Sequence, residues 1–106
     1  GLTFKENCSD LRNSQIIHLA NFLADKKANI FLHDPLANQE EARELFEGSL
    51  LNSFPSGQHF DGVVFAVPHK DYLGKLYKDL MSVCHNSTVV FDLKSVLECR
   101  SNFIRL

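Results

Sequence analysis

The sequence lacks tryptophan, and its nine phenylalanines are left to supply an aromatic-rich but ordinary core. It also lacks any apolar run near the roughly 18–20 residues that a membrane-spanning helix needs, so no membrane partner is expected. No signal-peptide pattern is visible, although a piece of a longer chain can have lost one. No charge of one sign dominates: 11 basic residues face 13 acidic ones, for a net charge of −2. A general nucleic-acid binder would need a basic face, so that class is excluded, and any anion site must be local. The three cysteines, Cys8, Cys84 and Cys99, are odd in number and form no CxxC pair. They fit a reduced, cytoplasmic setting. With the five histidines they match no zinc spacing, so no metal is expected. There is no internal repeat and no low-complexity linker. At 106 residues and 44% hydrophobic composition, the chain has room for one globular domain, expected to span 1–106.

What is present is most informative at the start. The run Gly1-Leu2-Thr3-Phe4-Lys5-Glu6-Asn7-Cys8-Ser9-Asp10-Leu11-Arg12-Asn13-Ser14 carries an apolar strand end into a polar loop with Lys5, Asp10 and Arg12. A helical pattern follows at once. An α/β protein holds an anion with this arrangement, the loop leaving the carboxyl end of a strand and the next helix offering free N–H groups. A first strand at Leu2–Phe4 is short against the usual five or six residues. The expectation is a chain that begins inside a fold, as part of a larger protein.

Further on, the pattern alternates. Ser14 to Lys27 reads as a helix with Ile16, Ile17, Leu19, Ala20, Phe22, Leu23 and Ala24 on an apolar stripe. Asn13 or Ser14 suits its cap, and Lys26 and Lys27 suit its carbonyl end. Ala28 to Leu32 reads as a buried strand stopped by His33-Asp34-Pro35. A short helix over Gln39 to Phe46 and a minor edge strand at Leu50 and Leu51 follow. Gly62 to Val67, bounded by Asp61 and Pro68, is a continuous apolar run expected to be buried on both faces. His69 to Val83 reads as one helix, Thr88 to Phe91 as another buried strand ending at Asp92, and Phe103 to Leu106 as a last edge strand. The order predicts an α/β three-layer sandwich with a mainly parallel, Rossmann-like sheet whose first strand is truncated. Ligands bind such sheets beyond the carboxyl ends of the strands. The residues to inspect there are Lys5, Asp10 and Arg12, then His33, Asp34, His69, Asp92 and Lys94.

Those residues carry a resemblance. The opening run, with Phe4-Lys5 and then Asp10-x-Arg12, is similar to the start of the C-terminal UDP-binding domain of the UDP-glucose/GDP-mannose dehydrogenase family. His33-Asp34-Pro35 resembles that family's second strand exit. Asp61 to Pro68, continuing through His69 and Tyr72, resembles its D-A-V-V-x-A-x-x-H stretch. Phe91-Asp92-Leu93-Lys94 resembles its D-x-[KR] segment, and Phe103 to Leu106 its closing residues. One departure is Ser95, where the family often has Gly. The Phe-Lys-Glu-Asn-Cys variant looks most like the branch that oxidises UDP-N-acetylhexosamines for surface polysaccharides.

The resemblance implies a part of an NAD-dependent UDP-sugar 6-dehydrogenase, which oxidises the sugar C6 alcohol to a carboxylate in two NAD-linked steps. The partners implied are the N-terminal NAD-binding and central domains of a larger, homo-oligomeric enzyme. This chain has no Gly-rich dinucleotide fingerprint and no nucleophile segment, so it is expected to supply no catalytic residue and to be inactive alone. By the same resemblance, Phe4 and Lys5 sit against the UDP-sugar, Lys94 contacts it, Arg12 reaches the NAD pyrophosphate, and Asp10 orients Arg12 or the loop. Cys8 is read as a loop or packing thiol, and His33 and His69 as loop-capping groups or rim contacts. The alternative reading is a stand-alone α/β regulatory or interaction domain, with the loop charges serving a protein partner.

Overall fold

The computed structural model describes residues 1–46, 48–98 and 100–105. Cys99, and Leu106 of the expected last strand, lie outside the described residues. The element order is α1 (Gln15–Asp25), β1 (Phe31–Leu32), α2 (Gln39–Leu45), β2 (Ser49–Leu50), β3 (Gly62–Phe65), α3 (Lys70–Leu73), α4 (Tyr77–Val83), β4 (Val89–Asp92) and β5 (Phe103–Arg105). Among the described residues all strand pairs are parallel: β1 with β2, and β3 with β4 with β5. The architecture is the expected α/β one, divided into a two-stranded and a three-stranded sheet.

Two cores hold it together. Ile17 and Ala20 of α1 pack with Leu2, Leu11, Leu32, Ala37, Ala42 and Phe46. The second core joins Phe65, Val90 and Phe103, one from each strand of the larger sheet, to Tyr72 of α3 and to Leu80 and Val83 of α4. Side chains alternate across a strand, so Val64, Phe91 and Ile104, in register with one another, point to the opposite face. They are exposed. The expectation of burial on both faces is therefore corrected for this sheet: α3 and α4 bury one face, and the side chains of the other stay exposed.

Three further expectations change. Leu2–Phe4 forms no strand. The Leu2 and Thr3 N–H groups donate to the Asp34 carboxylate, at 2.8 and 3.3 Å, instead of to a neighbouring strand's carbonyls. Gly1 meanwhile lies against Val67, so the segment stitches the exit of β1 to that of β3. An apolar cleft of about 200 Å³, lined by Ile30, Phe31, Val63 and Phe65 among others, separates the two sheets. The helix read over His69 to Val83 is two helices. Gly74, at φ −116° and ψ −106°, leaves helical geometry, and a Cβ there would press on the Lys70 carbonyl at 3.2 Å. Phe22, placed on the α1 stripe, is exposed, with the Lys26 ammonium over its ring at 5.5 Å. Ser14 does stand at the N-cap of α1, but its hydroxyl donates to the Leu2 carbonyl and not to the helix.

Candidate functional site

The site grows from a buried carboxylate. Asp34 follows β1 and is fully enclosed. Its Oδ1 accepts from the N–H groups of Leu36 and Ala37, at 2.7 and 2.9 Å, which turns the chain toward α2. Its Oδ2 accepts from Leu2, Thr3 and His69 Nε2, the last at 2.8 Å. Burial alone would raise this carboxyl, but the hydrogen bonds from His69, Leu2 and Leu36 outweigh it and hold it well below the usual carboxylate range.

His69, past β3, is buried and its tautomer follows from its partners. The Asn7 backbone N–H can only donate, and it meets His69 Nδ1 at 2.9 Å. Nδ1 is therefore the acceptor, and Nε2 carries the proton toward Asp34. Thr3 Oγ1 lies 3.1 Å from the same Nε2 and donates its own proton to the Lys5 carbonyl at 2.9 Å. His33 occupies a different cluster. Its Nδ1 lies 2.8 Å from the Tyr72 hydroxyl, which in turn donates to the His33 carbonyl. Burial pushes the His33 imidazole down. Both histidines thus serve loop structure.

The loop that leaves this network carries the sequence-predicted residues. The Phe4 N–H donates to the Asp10 carbonyl at 2.7 Å and closes the loop on itself. Phe4, Asp10 and Arg12, with Asn13, line a shallow concavity of about 150 Å³. Phe4 is 57% exposed, as is Phe22 of α1. Asp10 accepts from Arg12 three times: from its backbone N–H at 2.8 Å, from Nε at 3.1 Å and from Nη2 at 3.0 Å. These bonds hold the Asp10 carboxyl below its usual range and fix the guanidinium, whose remaining donors face outward. Lys5 is exposed on the same loop. Lys94 is exposed in the turn just after β4, and Asp92 there is in register with Phe65 of β3. Lys94 follows β4, and the segment carrying Lys5 is bonded through Thr3 and Asn7 to Asp34 and His69, just past β1 and β3. Lys5 and Arg12 share one loop, whereas Lys94 comes from a separate strand exit with no bond to them among those described.

Comparison with known proteins now bears on this edge. The model of the UDP-glucose/GDP-mannose dehydrogenase family, UDP binding domain, matches residues 1–99. The chain belongs to this family. It is similar to Protein CapL of Staphylococcus aureus, at 39% identity over 97 residues, covering 92% of this chain and 22% of CapL. It is also similar to two proteins named UDP-N-acetyl-D-glucosamine 6-dehydrogenase. That of Salmonella typhi is 32% identical and that of Pseudomonas aeruginosa 31%, each over 106 residues, 100% of this chain and 25% of the relative. The chain thus spans about a quarter of the length of these relatives. No solved structure matches it significantly. Family membership favours the dehydrogenase reading over a stand-alone interaction domain.

In this UDP binding domain, Ser95 takes φ 55°, the left-handed conformation that glycine adopts freely. The departure from glycine thus changes the side chain and keeps the glycine-like backbone. Asp92 behaves like Asp34: it is buried and accepts from the N–H groups of Val96 and Leu97. With their oxygens committed to backbone turns, neither carboxylate suits the phospho-acceptor role that strand-end aspartates play in some sheets of this kind. Cys8 Sγ accepts from the Asp10 N–H at 3.4 Å, a loop contact, and Cys84 is buried, which pushes its thiol up. No helix among the described residues is long and apolar enough to cross a membrane. Sequence reasoning missed Thr3 and Asn7. The available signal was Asn7 itself, since asparagine is the non-glycine residue most at ease at positive φ, and here φ is 60°.

Proposed function

We propose that this chain is the C-terminal, nucleotide-sugar-binding part of a larger NAD-dependent UDP-sugar 6-dehydrogenase, with a UDP-N-acetylhexosamine as the substrate class. The overall reaction converts the C6 alcohol, with water and two NAD⁺, to a carboxylate, two NADH and three protons. The observation that carries the reading is the match to the UDP binding domain along residues 1–99. The chemistry of the edge agrees with it. Lys5 and Lys94 are point charges suited to single phosphate or sugar oxygens. The exposed Phe4 ring offers a flat apolar surface beside Lys5. Arg12, held by Asp10 with guanidinium donors to spare, fits a pyrophosphate oxygen at the mouth of a cleft. When bound, NAD accepts the hydride; the role read for this chain is to bind and orient, with catalytic groups and most NAD contacts coming from the other parts of the enzyme. Such an enzyme supplies acidic sugars for surface polysaccharides.

Calorimetric titration of the intact protein tests this. UDP and UDP-N-acetylglucosamine are expected to bind. Uridine, lacking the diphosphate, is expected to bind at least about tenfold more weakly, which is about 1.4 kcal/mol. Equal affinity for uridine and UDP, or no binding of UDP, would overturn the proposal.

A further inference from the structure

The loop from Phe4 to Asp10 is gripped at its middle as well as its ends. Asn7 and the His69-Lys70 step hold each other reciprocally. The Asn7 N–H donates to His69 Nδ1 at 2.9 Å, and Asn7 Oδ1 accepts from the Lys70 N–H at 2.8 Å. Lys70 opens α3, so its N–H has no acceptor within that helix. On the other side of Glu6, the Lys5 carbonyl accepts from Thr3 Oγ1, which itself lies against His69 Nε2. Both backbone groups flanking Glu6 are thus referred to one buried imidazole. That imidazole cannot turn or change tautomer while Nε2 is held by Asp34 and Nδ1 by Asn7.

We propose that Asn7 and His69 are positioning residues, a clamp that holds the Phe4–Asp10 loop in the shape that presents Lys5 to the diphosphate of the nucleotide. This rests on the UDP-site reading above. The clamp lets a loop with an exposed tip keep one conformation, so that ligand binding need not order it. Fixing backbone that is otherwise free carries an entropy cost, which a preset loop avoids at the moment of binding. Asn7 also explains why the tip need not be glycine: its side chain tolerates the left-handed turn and supplies the second half of the clamp.

The test is Asn7→Gly in the intact protein. Glycine keeps the N–H and suits the positive φ, while the side chain with its Oδ1 acceptor is lost, leaving the exposed Lys70 N–H to water. UDP affinity, the urea unfolding midpoint and hydrogen exchange of peptides from the loop and from the β3–β5 sheet are measured together. The expected result is UDP binding weakened about tenfold, faster exchange confined to the loop, and an unchanged midpoint. His69→Gln, which retains reach toward Asp34 and loses the Nδ1 acceptor, should weaken UDP binding at least as much. Wild-type UDP affinity in Asn7→Gly, or a loss of affinity matched by faster exchange in the sheet, overturns the clamp while leaving the UDP site standing. Failure of the wild-type protein to bind UDP overturns the site reading and the clamp with it.

Discussion

Asp34→Ala is expected to cost about 3 kcal/mol of folding stability or more, since each buried donor left without an acceptor costs about 1–3 kcal/mol. The physical reason is the number of groups stranded. The N–H groups of Leu2, Thr3, Leu36 and Ala37 and the Nε2–H of His69 all end on this one carboxylate. Each is buried or partly buried, so water replaces few of these bonds. Asp34→Asn recovers little, because an amide presents an NH₂ to donors on one side or the other. Total stability for a domain is only about 5–15 kcal/mol, so the alanine variant approaches the limit of folding. The same carboxylate sets a pH dependence. Its folded-state value is lowered, so its contribution is complete above the ordinary carboxylate value of about 3.9 and is lost as the pH falls through the folded value. Urea midpoints from about pH 5 to pH 2 should fall in the wild type and fall less steeply in Asp34→Asn. An unfolding free energy for Asp34→Ala within about 0.5 kcal/mol of wild type, a change typical of surface positions, would contradict the network.

The second large effect concerns the ligand. On the function proposed above, Lys5→Ala and Lys94→Ala are each expected to raise KM for the UDP-sugar, and Arg12→Ala to raise KM for NAD. Each change removes a charge-assisted hydrogen bond worth about 1.5–3 kcal/mol. That corresponds to roughly ten- to a hundredfold. Asp10→Ala should move KM for NAD in the same direction by less, because it unties the guanidinium without removing it. Thermal midpoints should stay near wild type in the lysine variants, whose side chains are exposed. Steady-state kinetics on the intact enzyme separates the two substrates. Wild-type KM values for both in all three charge-removing variants would leave these residues as ordinary surface charges.

Much of the fold was legible because it is written in runs and breaks. The apolar run from Gly62 was bounded by Asp61 and Pro68, and β3 lies within it. The parallel order followed from strands alternating with helices. What an apolar run does not encode is which face a helix covers, and so Val64 and Phe91 were misjudged. Leu2–Phe4 was misread for a related reason: strand propensity is realised only when a partner's backbone is aligned, and here Asp34 takes the N–H groups. At the site, the family resemblance implies that Asp10 orients Arg12 or the loop, and Asp10 does accept from Nε and Nη2 of Arg12. The pairing of Asp34 with His69 was out of reach. Each was singled out at the ligand edge, but they lie 35 residues apart and meet only once two strand exits are brought together.

The central claim is that the Phe4–Arg12 loop and the turn at Lys94 hold a UDP-sugar at the carboxyl edge of the sheet. A crystal structure of the intact protein with UDP-N-acetylglucosamine tests it most directly. The account predicts diphosphate or sugar oxygens at hydrogen-bond distance, about 2.7–3.2 Å, from Lys5 Nζ and Lys94 Nζ, with Phe4 against the ligand. A nucleotide seated elsewhere, with both ammonium groups left in solvent, would contradict it.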